Sequence, residues 1–477
     1  MRREELVEPL TNYFMGRLQK DFNKHNTFVG GVFTATNRDL SDNLDFLHKS
    51  AYSGGIDFKH QWKDRIWYIA GNIVMSHVEG SKQAIQNTQE SLRHLFGRVD
   101  ASHLEVDPNR TSLTGTGGNV QFGKAAKGHW RFESGFTWRS PELELNDLGF
   151  QRQADDLRHY TWIGYRSLKP FSIFRTLGIN YNHWIAWDYE ANHNLLQWNV
   201  NSWANFKNNW FGNLGLNYRP IRYSNTALRG GPRLHTSQNF SYWNNIGTDN
   251  RKKVRFNLSN NGGKAFDDSF NFFNISFGVS YQPTNALRVS INPEYNINND
   301  KLQFVRNIEV ANADKYINAK IKQNTMSMSV RVNYTINPNL TIQYYGQPFV
   351  SRGRYSNFKS VGGGTSDAQA INFEDRFIRY TNAQIDLDTT NDVYTITEAD
   401  NTTFSFSNPN FTSVQFRSNL VVRWEYIPGS ELFLVWSQGN SGSQNPNNNL
   451  FRSLDNQIFG EKGENTFLIK ATYRFRR

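Results

Sequence analysis

Strict alternation of apolar and polar side chains, sustained along the whole chain, is the feature that most limits the fold. From 326 to 335 the residues run Met326, Ser327, Met328, Ser329, Val330, Arg331, Val332, Asn333, Tyr334, Thr335, apolar on one face and polar on the other. A period of two is that of a β-strand lying between two different environments. Leu287, Val289 and Ile291 alternate with Arg288, Ser290 and Asn292, and Phe273, Ile275, Phe277, Val279 and Tyr281 with Asn274, Ser276, Gly278, Ser280 and Gln282. Leu420, Val422, Trp424 and Tyr426 oppose Asn419, Arg423 and Glu425, with Val421 the exception. The last such row sets Phe467, Ile469, Ala471, Tyr473 and Phe475 against Leu468, Lys470, Thr472, Arg474 and Arg476. Helical periodicity is confined to about 81–95.

Short and long connections alternate. Tight turns rich in Asn, Asp, Gly, Pro and Lys fall at 23–26, 63–64, 126–128, 167–170, 207–209, 249–252, 283–285, 337–339 and 428–430. Between them lie long connections at 37–50, 79–113, 140–156, 349–411 and 439–464. Short turns at one end of a sheet and long loops at the other predict an all-β fold, a transmembrane antiparallel up-and-down β-barrel of about 18–20 strands. A hairpin within 390–408 is expected inside the longest loop, outside the wall.

Composition decides between this reading and a soluble β-protein. No run reaches about 18 apolar residues, which excludes a helical membrane protein. The absence of Cys excludes a disulfide framework and a thiolate metal site. The mean hydropathy is −0.67, yet 15% of residues are aromatic, too many for a disordered chain. A wide barrel reconciles the two, since only half of each strand meets lipid. A propeller would show a recurring blade motif, and none is found. Trp130, Phe132, Ser134, Phe136 and Trp138 share one face, with Trp at both ends. Eight residues span roughly 26 Å along a strand, or ~20 Å when tilted, close to the apolar band between two aromatic girdles. Trp130, Trp138, Trp198, Trp424, Trp436, Tyr473 and Phe475 are the expected lipid-facing girdle residues.

The nine turns join eighteen strands, including 233–248, 340–348, 412–426 and 431–438, and a strand at 465–476 makes nineteen. Bacterial single-chain barrels have even strand numbers, so the odd count predicts at least one strand upstream of residue 12. MRREELVEPL at the start shows no signal peptide, and the whole of 1–477 reads as one barrel domain lacking its beginning.

Several stretches carry a family resemblance: VEPLTNYF (7–14), FTATNRDL (33–40), HLEVDPNRTSLTGTGG (103–118), GHWRFESGFTWRSPELELNDLGFQRQAD (128–155), ALRGGP (227–232), INPNLTIQYYGQPFVSRGRYSNFK (336–359), FRSNLVVRWEYIPGSELFLVWSQG (416–439) and FLIKATYRF (467–475). Through them the chain resembles a Bacteroidota-type outer-membrane family of unknown function. The resemblance implies a C-terminal barrel that follows an N-terminal module similar to family 9 carbohydrate-binding domains. No counterpart of that module, of the signal peptide or of the first barrel strands is present here. The resemblance implies a location in the outer membrane and a loose association with carbohydrate, and it transfers no catalytic residues.

Three groups of residues are candidates for chemistry. Glu142, Glu144 and Asp147 in the 140–156 connection would be an acid and base for a glycoside if two of them converged; the plainer reading is loop acids that cap turns or pair with Arg152 and Arg158. The 366–400 segment holds Asp367, Glu374, Asp375, Asp386, Asp388, Asp392, Glu398 and Asp400. Asp386, Asp388 and Asp392 loosely follow a Ca²⁺ loop but lack its Gly and its closing Glu. Arg131, Arg288, Arg331, Arg417, Arg423, Lys470 and Arg474 are predicted to line the lumen, either favouring anions or pairing with Glu133, Glu294 and Glu425. No catalytic, cofactor or metal site is assigned. The scattered His residues give no basis for a Ser–His pair at the lipid interface. Glycine runs at 115–118, 230–231 and 362–364 read as loops or kinks, since none follows a strand and opens a helix.

The net charge of +11 comes without a basic run interleaved with aromatics, so nucleic acid is not an expected partner. Outer-membrane lipid and lipopolysaccharide are, with glycans or other envelope proteins. Three functions follow: a non-enzymatic channel or scaffold for glycan or envelope handling; a surface glycoside hydrolase-type protein; and a TonB-dependent-type transporter, for which no plug domain is present.

Overall fold

Alternation becomes a wall of antiparallel strands in the computed structural model, which describes residues 6–475 apart from 312 and 362–364. The run Gly362, Gly363, Gly364 lies outside the described residues. The large sheet has 21 described strands. Two are short pairings in loops, Leu234–His235 and Phe377–Arg379, and the other nineteen form the wall. They are β1 (Leu10–Phe22), β2 (Thr27–Asp39), β3 (His48–Trp62), β4 (Trp67–Gly80), β5 (Ser112–Lys124), β6 (Trp130–Arg139), β7 (Asp156–Ser167), β8 (Phe174–Trp187), β9 (His193–Phe206) and β10 (Phe211–Ser224), then β11 (Asn239–Gly247), β12 (Val254–Ala265), β13 (Phe270–Tyr281), β14 (Leu287–Val310), β15 (Ala313–Asn337), β16 (Leu340–Val361), β17 (Phe411–Ile427), β18 (Ser430–Ser443) and β19 (Glu464–Ala471). Each pairs antiparallel with its chain neighbour, the up-and-down order expected. Among the described residues no ladder joins β1 to β19.

The register lines the apolar rows into one continuous face. Ile56 stands opposite Ile73, Val120 opposite Phe136, Ile163 opposite Tyr181, Val200 opposite Leu216, Leu258 opposite Phe277, Ile291 opposite Val330 and Val422 opposite Leu434. These side chains stand open: Ile56 is 63% exposed and Ile73 61%. An apolar surface of that extent cannot face water, and facing lipid it is the outside of a β-barrel. No described helix is long and apolar enough to cross a membrane. The opposite face is bonded by amides. Asn180 donates to Asn201 over 2.7 Å, Asn182 to Asn199 over 2.8 Å and Asn199 to Asn217 over 2.9 Å, a polar ladder suited to a lumen.

Strand ends depart from the pattern where packing takes over. The expected strand 340–348 continues to Val361, and the two strands before it, β14 and β15, reach 24 and 25 residues. Such lengths far exceed the 9–11 residues needed to cross a membrane, so the upper parts project beyond it. There Ile317, Ala319 and Phe358 pack against Ile396, Phe404 and Phe406. The last three belong to a small sheet of Ile385–Asp388, Val393–Thr397 and Thr403–Ser407, which includes the hairpin expected in that loop. Burial on both faces erases the two-environment signal, and the alternation fades after residue 348. The 233–248 segment narrows to β11, and the ladder of β19 stops at Ala471, although Thr472 still exchanges backbone hydrogen bonds with Glu431. A helix at Leu450–Gly460 was not legible, because its buried face is polar, carrying Ser453 and Gln457.

Candidate functional site

The long loops fold back over the polar face and form an ordered roof at one end of the wall. The helix Lys82–Glu90 starts at Ser81, whose hydroxyl accepts from the Ala84 amide over 3.0 Å. It sets Ile85 against Ala51, Val78, Leu113 and Phe96. Ser76 and Gly115, both on the polar side, receive the 140–156 loop. The Glu144 amide donates to Ser76 Oγ over 3.0 Å, and a Cβ on Gly115 would stand 2.1 Å from Leu143 N. Glycine is required there because the loop backbone rests on the strand.

Buried acid–base pairs fasten the roof. Asp147 accepts from Arg38 Nη1 over 2.7 Å and pairs with His48 Nδ1 at 2.9 Å, while His48 Nε2 meets Thr88 Oγ1 at 2.7 Å. Glu144 lies 2.9 Å from His94 Nε2, and His94 Nδ1 lies 2.7 Å from the Pro141 carbonyl. For both acids burial works against the charged form. The hydrogen bonds from His94 and Asn146 to Glu144, and from His48 and Arg38 to Asp147, outweigh it and hold both carboxyls below their ordinary values. His103 joins Asp155 at 2.9 Å and Glu190 at 3.5 Å.

One carboxylate ties distant loops together. Asp100, paired with Arg98 at 2.8 Å, accepts from the Arg233 amide over 2.9 Å and from Gln369 Nε2 over 3.2 Å. Arg98 also reaches Asp188 at 3.4 Å. These residues come from connections after β4, β8, β10 and β16. Their meeting on the polar face requires the sheet to curl around them.

Beside this junction is a rim cavity of about 730 Å³, walled by Tyr223, Phe266 and Phe373 with His193, Arg233, His235, Asp267, Asn372 and Arg376. Arg376 is 1% exposed; it donates to the carbonyls of Ala370 (2.8 Å) and Ile371 (2.6 Å) and to Ser237 Oγ (3.3 Å). Burial, and then the neighbouring Arg376 guanidinium, push the His235 imidazole towards its neutral form. Burial opposes the charge on Asp267, but hydrogen bonds from Ser237 and Ser269 prevail and keep it a carboxylate. The Arg233 guanidinium lies over Tyr223, 4.9 Å from the ring centre. A polar floor between aromatic walls can stack a ring-shaped ligand and hydrogen-bond its edges. The cavity draws on five separate segments, so no local motif announced it. The run ALRGGP ends just before Arg233, and a Cβ on Gly231 within it would come within 2.7 Å of the Tyr316 ring.

The sequence candidates are scattered by the fold. Glu144 and Asp147 close the buried pairs above instead of flanking an open cleft. Asp388 accepts from the Thr390 and Asn391 amides at 2.8 and 3.1 Å, and Asp392 from Asn408 at 2.9 Å; both serve turns, and Asp386 sits on the adjoining small strand. Among the described residues no three His, Asp or Glu side chains converge to hold a metal. Arg131 donates to the carbonyls of Lys127, Gly128 and Trp130 at the short-turn end. Arg288 donates to Gln282 over 3.0 Å, and Arg331 covers the Tyr345 ring at 4.6 Å. Arg423 Nε donates to Glu431 over 2.8 Å, Lys470 stands 5.7 Å from the Phe433 ring, and Arg417 lines a polar hollow of about 550 Å³ with Asn419 and Gln438. Arg474 follows β19, its amide donating to Ser430 Oγ over 2.9 Å. Trp130, Trp424 and Trp436 are 58%, 50% and 40% exposed, Trp138 and Trp198 half-buried, and all five stand on the apolar side. Tyr473 and Phe475, exposed beyond β19, meet edge to face at 4.9 Å.

Solved structures with a similar course of chain include a siderophore receptor, an iron transporter and an outer membrane channel. The siderophore receptor PirA from Acinetobacter baumannii is 10% identical, with a TM-score of 0.36 over 91% of this chain and 74% of that one. The FrpB iron transporter from Neisseria meningitidis is 9% identical, with a TM-score of 0.42 over 92% and 77%. The outer membrane channel DcaP of Acinetobacter baumannii is 10% identical, with a TM-score of 0.27 over 77% and 88%. No curated protein matches the chain. A family model does, over residues 1–475, and the chain therefore belongs to the family described as a domain of unknown function, DUF5916.

Proposed function

We propose that this outer-membrane β-barrel is a non-enzymatic envelope scaffold whose roofed mouth binds a polar, ring-bearing ligand of the glycan class. The Asp100 junction carries the reading: one buried carboxylate holds three loops together over the lumen face, and Arg98 beside it reaches a fourth through Asp188. A freely conducting pore has no use for such a roof, and a scaffold that presents a fixed rim cavity does. The cavity's aromatic walls and amide or carboxylate edges are the groups that stack on sugar rings and hydrogen-bond their hydroxyls.

Single-channel recording on the purified protein tests this. The wild type is expected to conduct little in planar bilayers. Asp100→Ala removes the acceptor shared by Arg98, the Arg233 amide and Gln369, so conductance is expected to rise. Large, steady wild-type conductance unchanged by Asp100→Ala would overturn the roofed-scaffold reading and favour a simple pore.

A further inference from the structure

We propose that the lipid-facing side of β12–β15 carries a binding site for the phosphate groups of an outer-leaflet lipid. Lys264 stands opposite Asn271, Asn271 opposite Asn299, and Asn299 opposite Lys322, so the four form one row across four strands. The same face holds Phe273 and Ile297 two residues further into the wall, and Ile275, Tyr295 and Met326 two beyond those. At ~3.3 Å per residue the row lies only about 7 Å above the first apolar residues. It is at the loop end of the wall, where the apolar band gives way to polar headgroups.

The row opens into a hollow of about 620 Å³, which Lys301 and Lys320 complete. Four ammonium groups therefore surround one concavity. Asp268, also in its lining, pairs with Lys264 at 2.7 Å. Lys320 and Lys322 have no ion pair among the described residues, and Lys301 stands 5.8 Å from the Phe373 ring. By contrast, Lys315 in the upper part of the molecule pairs with Glu398 at 2.7 Å and Arg38 with Asp147 at 2.7 Å. Four ammonium groups that share a single carboxylate repel unless a further anion sits among them. Phosphate supplies that charge, with oxygens for the Asn271 and Asn299 amides. A lipid phosphate is the source that the position favours, since its acyl chains would continue down the apolar rows below.

This inference rests on the outer-membrane reading, and the test keeps the two apart. The full chain in detergent would be titrated with diphosphoryl lipid A, with the same lipid after dephosphorylation, and with inorganic phosphate as competitor. Wild-type protein is expected to bind the phosphorylated lipid roughly tenfold or more tightly than the dephosphorylated one, in a salt-sensitive manner. Combining Lys301→Gln, Lys320→Gln and Lys322→Gln should remove that preference. The control set Lys63→Gln, Lys127→Gln and Lys207→Gln, at the short-turn end, should retain it. Equal affinity for the two lipids, or an unchanged triple variant, would overturn the site. Competition by inorganic phosphate at the concentration of the lipid would replace the lipid with a free anion. Membrane extraction and heat-modifiable mobility are read in parallel. Protein absent from the membrane fraction overturns the barrel reading itself, whereas folded, membrane-bound protein without the lipid preference overturns the phosphate site alone.

Discussion

At the scale of single residues, the roof rests on contacts that leave no slack. Gly115 has no room for a side chain, because the backbone of Leu143 occupies its place. Gly115→Leu is expected to expel the 140–156 loop, seen as rapid proteolytic cleavage there while the wall stays protected. The buried acids set a pH limit. Glu144 and Asp147 have folded pKa values below their unfolded ones. Their contribution is therefore present above the unfolded values of about 4 and lost as pH falls through the lowered folded values. Protease susceptibility of the loop should stay flat from neutrality to about pH 4 and rise below it. A rise already complete at pH 6 would show that these carboxylates do not control the roof.

At the scale of elements, strands and helices differ in what holds them. The wall strands between β1 and β19 are stabilised by ladders on both sides, so surface changes there act mainly through the environment. The helix Leu450–Gly460 depends on its ends and on the polar contacts of Gln457 with Asn440 and Gln444. Asn449 accepts from the Arg452 amide over 2.8 Å, and Gln457 donates to Asn440 over 2.8 Å. Asn449→Ala should destabilise the helix by about 1 kcal/mol, measurable as faster hydrogen exchange across 450–460 with no change in β18.

At the scale of the whole molecule, the two faces of the wall have opposite tolerances. Val200, 49% exposed on the apolar face, and Asn201, its neighbour on the amide ladder, differ by one position. Val200→Arg should cost about 2–4 kcal/mol, the penalty for a cation near the bilayer midplane. Asn201→Lys loses the hydrogen bonds with Asn180 and Asn199 but places the new charge in a polar lumen, so its cost should be smaller. The fraction of protein with folded, heat-modifiable mobility checks both. Equal sensitivity at the two positions would contradict the assignment of inside and outside. The curl that brings Asp100 to Gln369 belongs to this scale as well, since it unites loops separated by 269 positions in the chain.

The sequence by itself determined the wall. Alternation is a local property: each residue in a two-sided strand records which solvent it faces, and Met326 to Thr335 could be read without knowing their neighbours. Turn residues such as Asn23 to Asn26 marked one end of the sheet for the same reason, since their left-handed backbone is a local demand. The tertiary structure alone decided the roof, the rim cavity and the lysine hollow. Glu144 could be named as an acid but not paired with His94, and Asp100 drew no notice until its partners from three loops surrounded it. Lys264, Lys301 and Lys322 are isolated cations along the chain and neighbours only across register. Packing and charge clustering depend on which distant segments meet, and no local period encodes that.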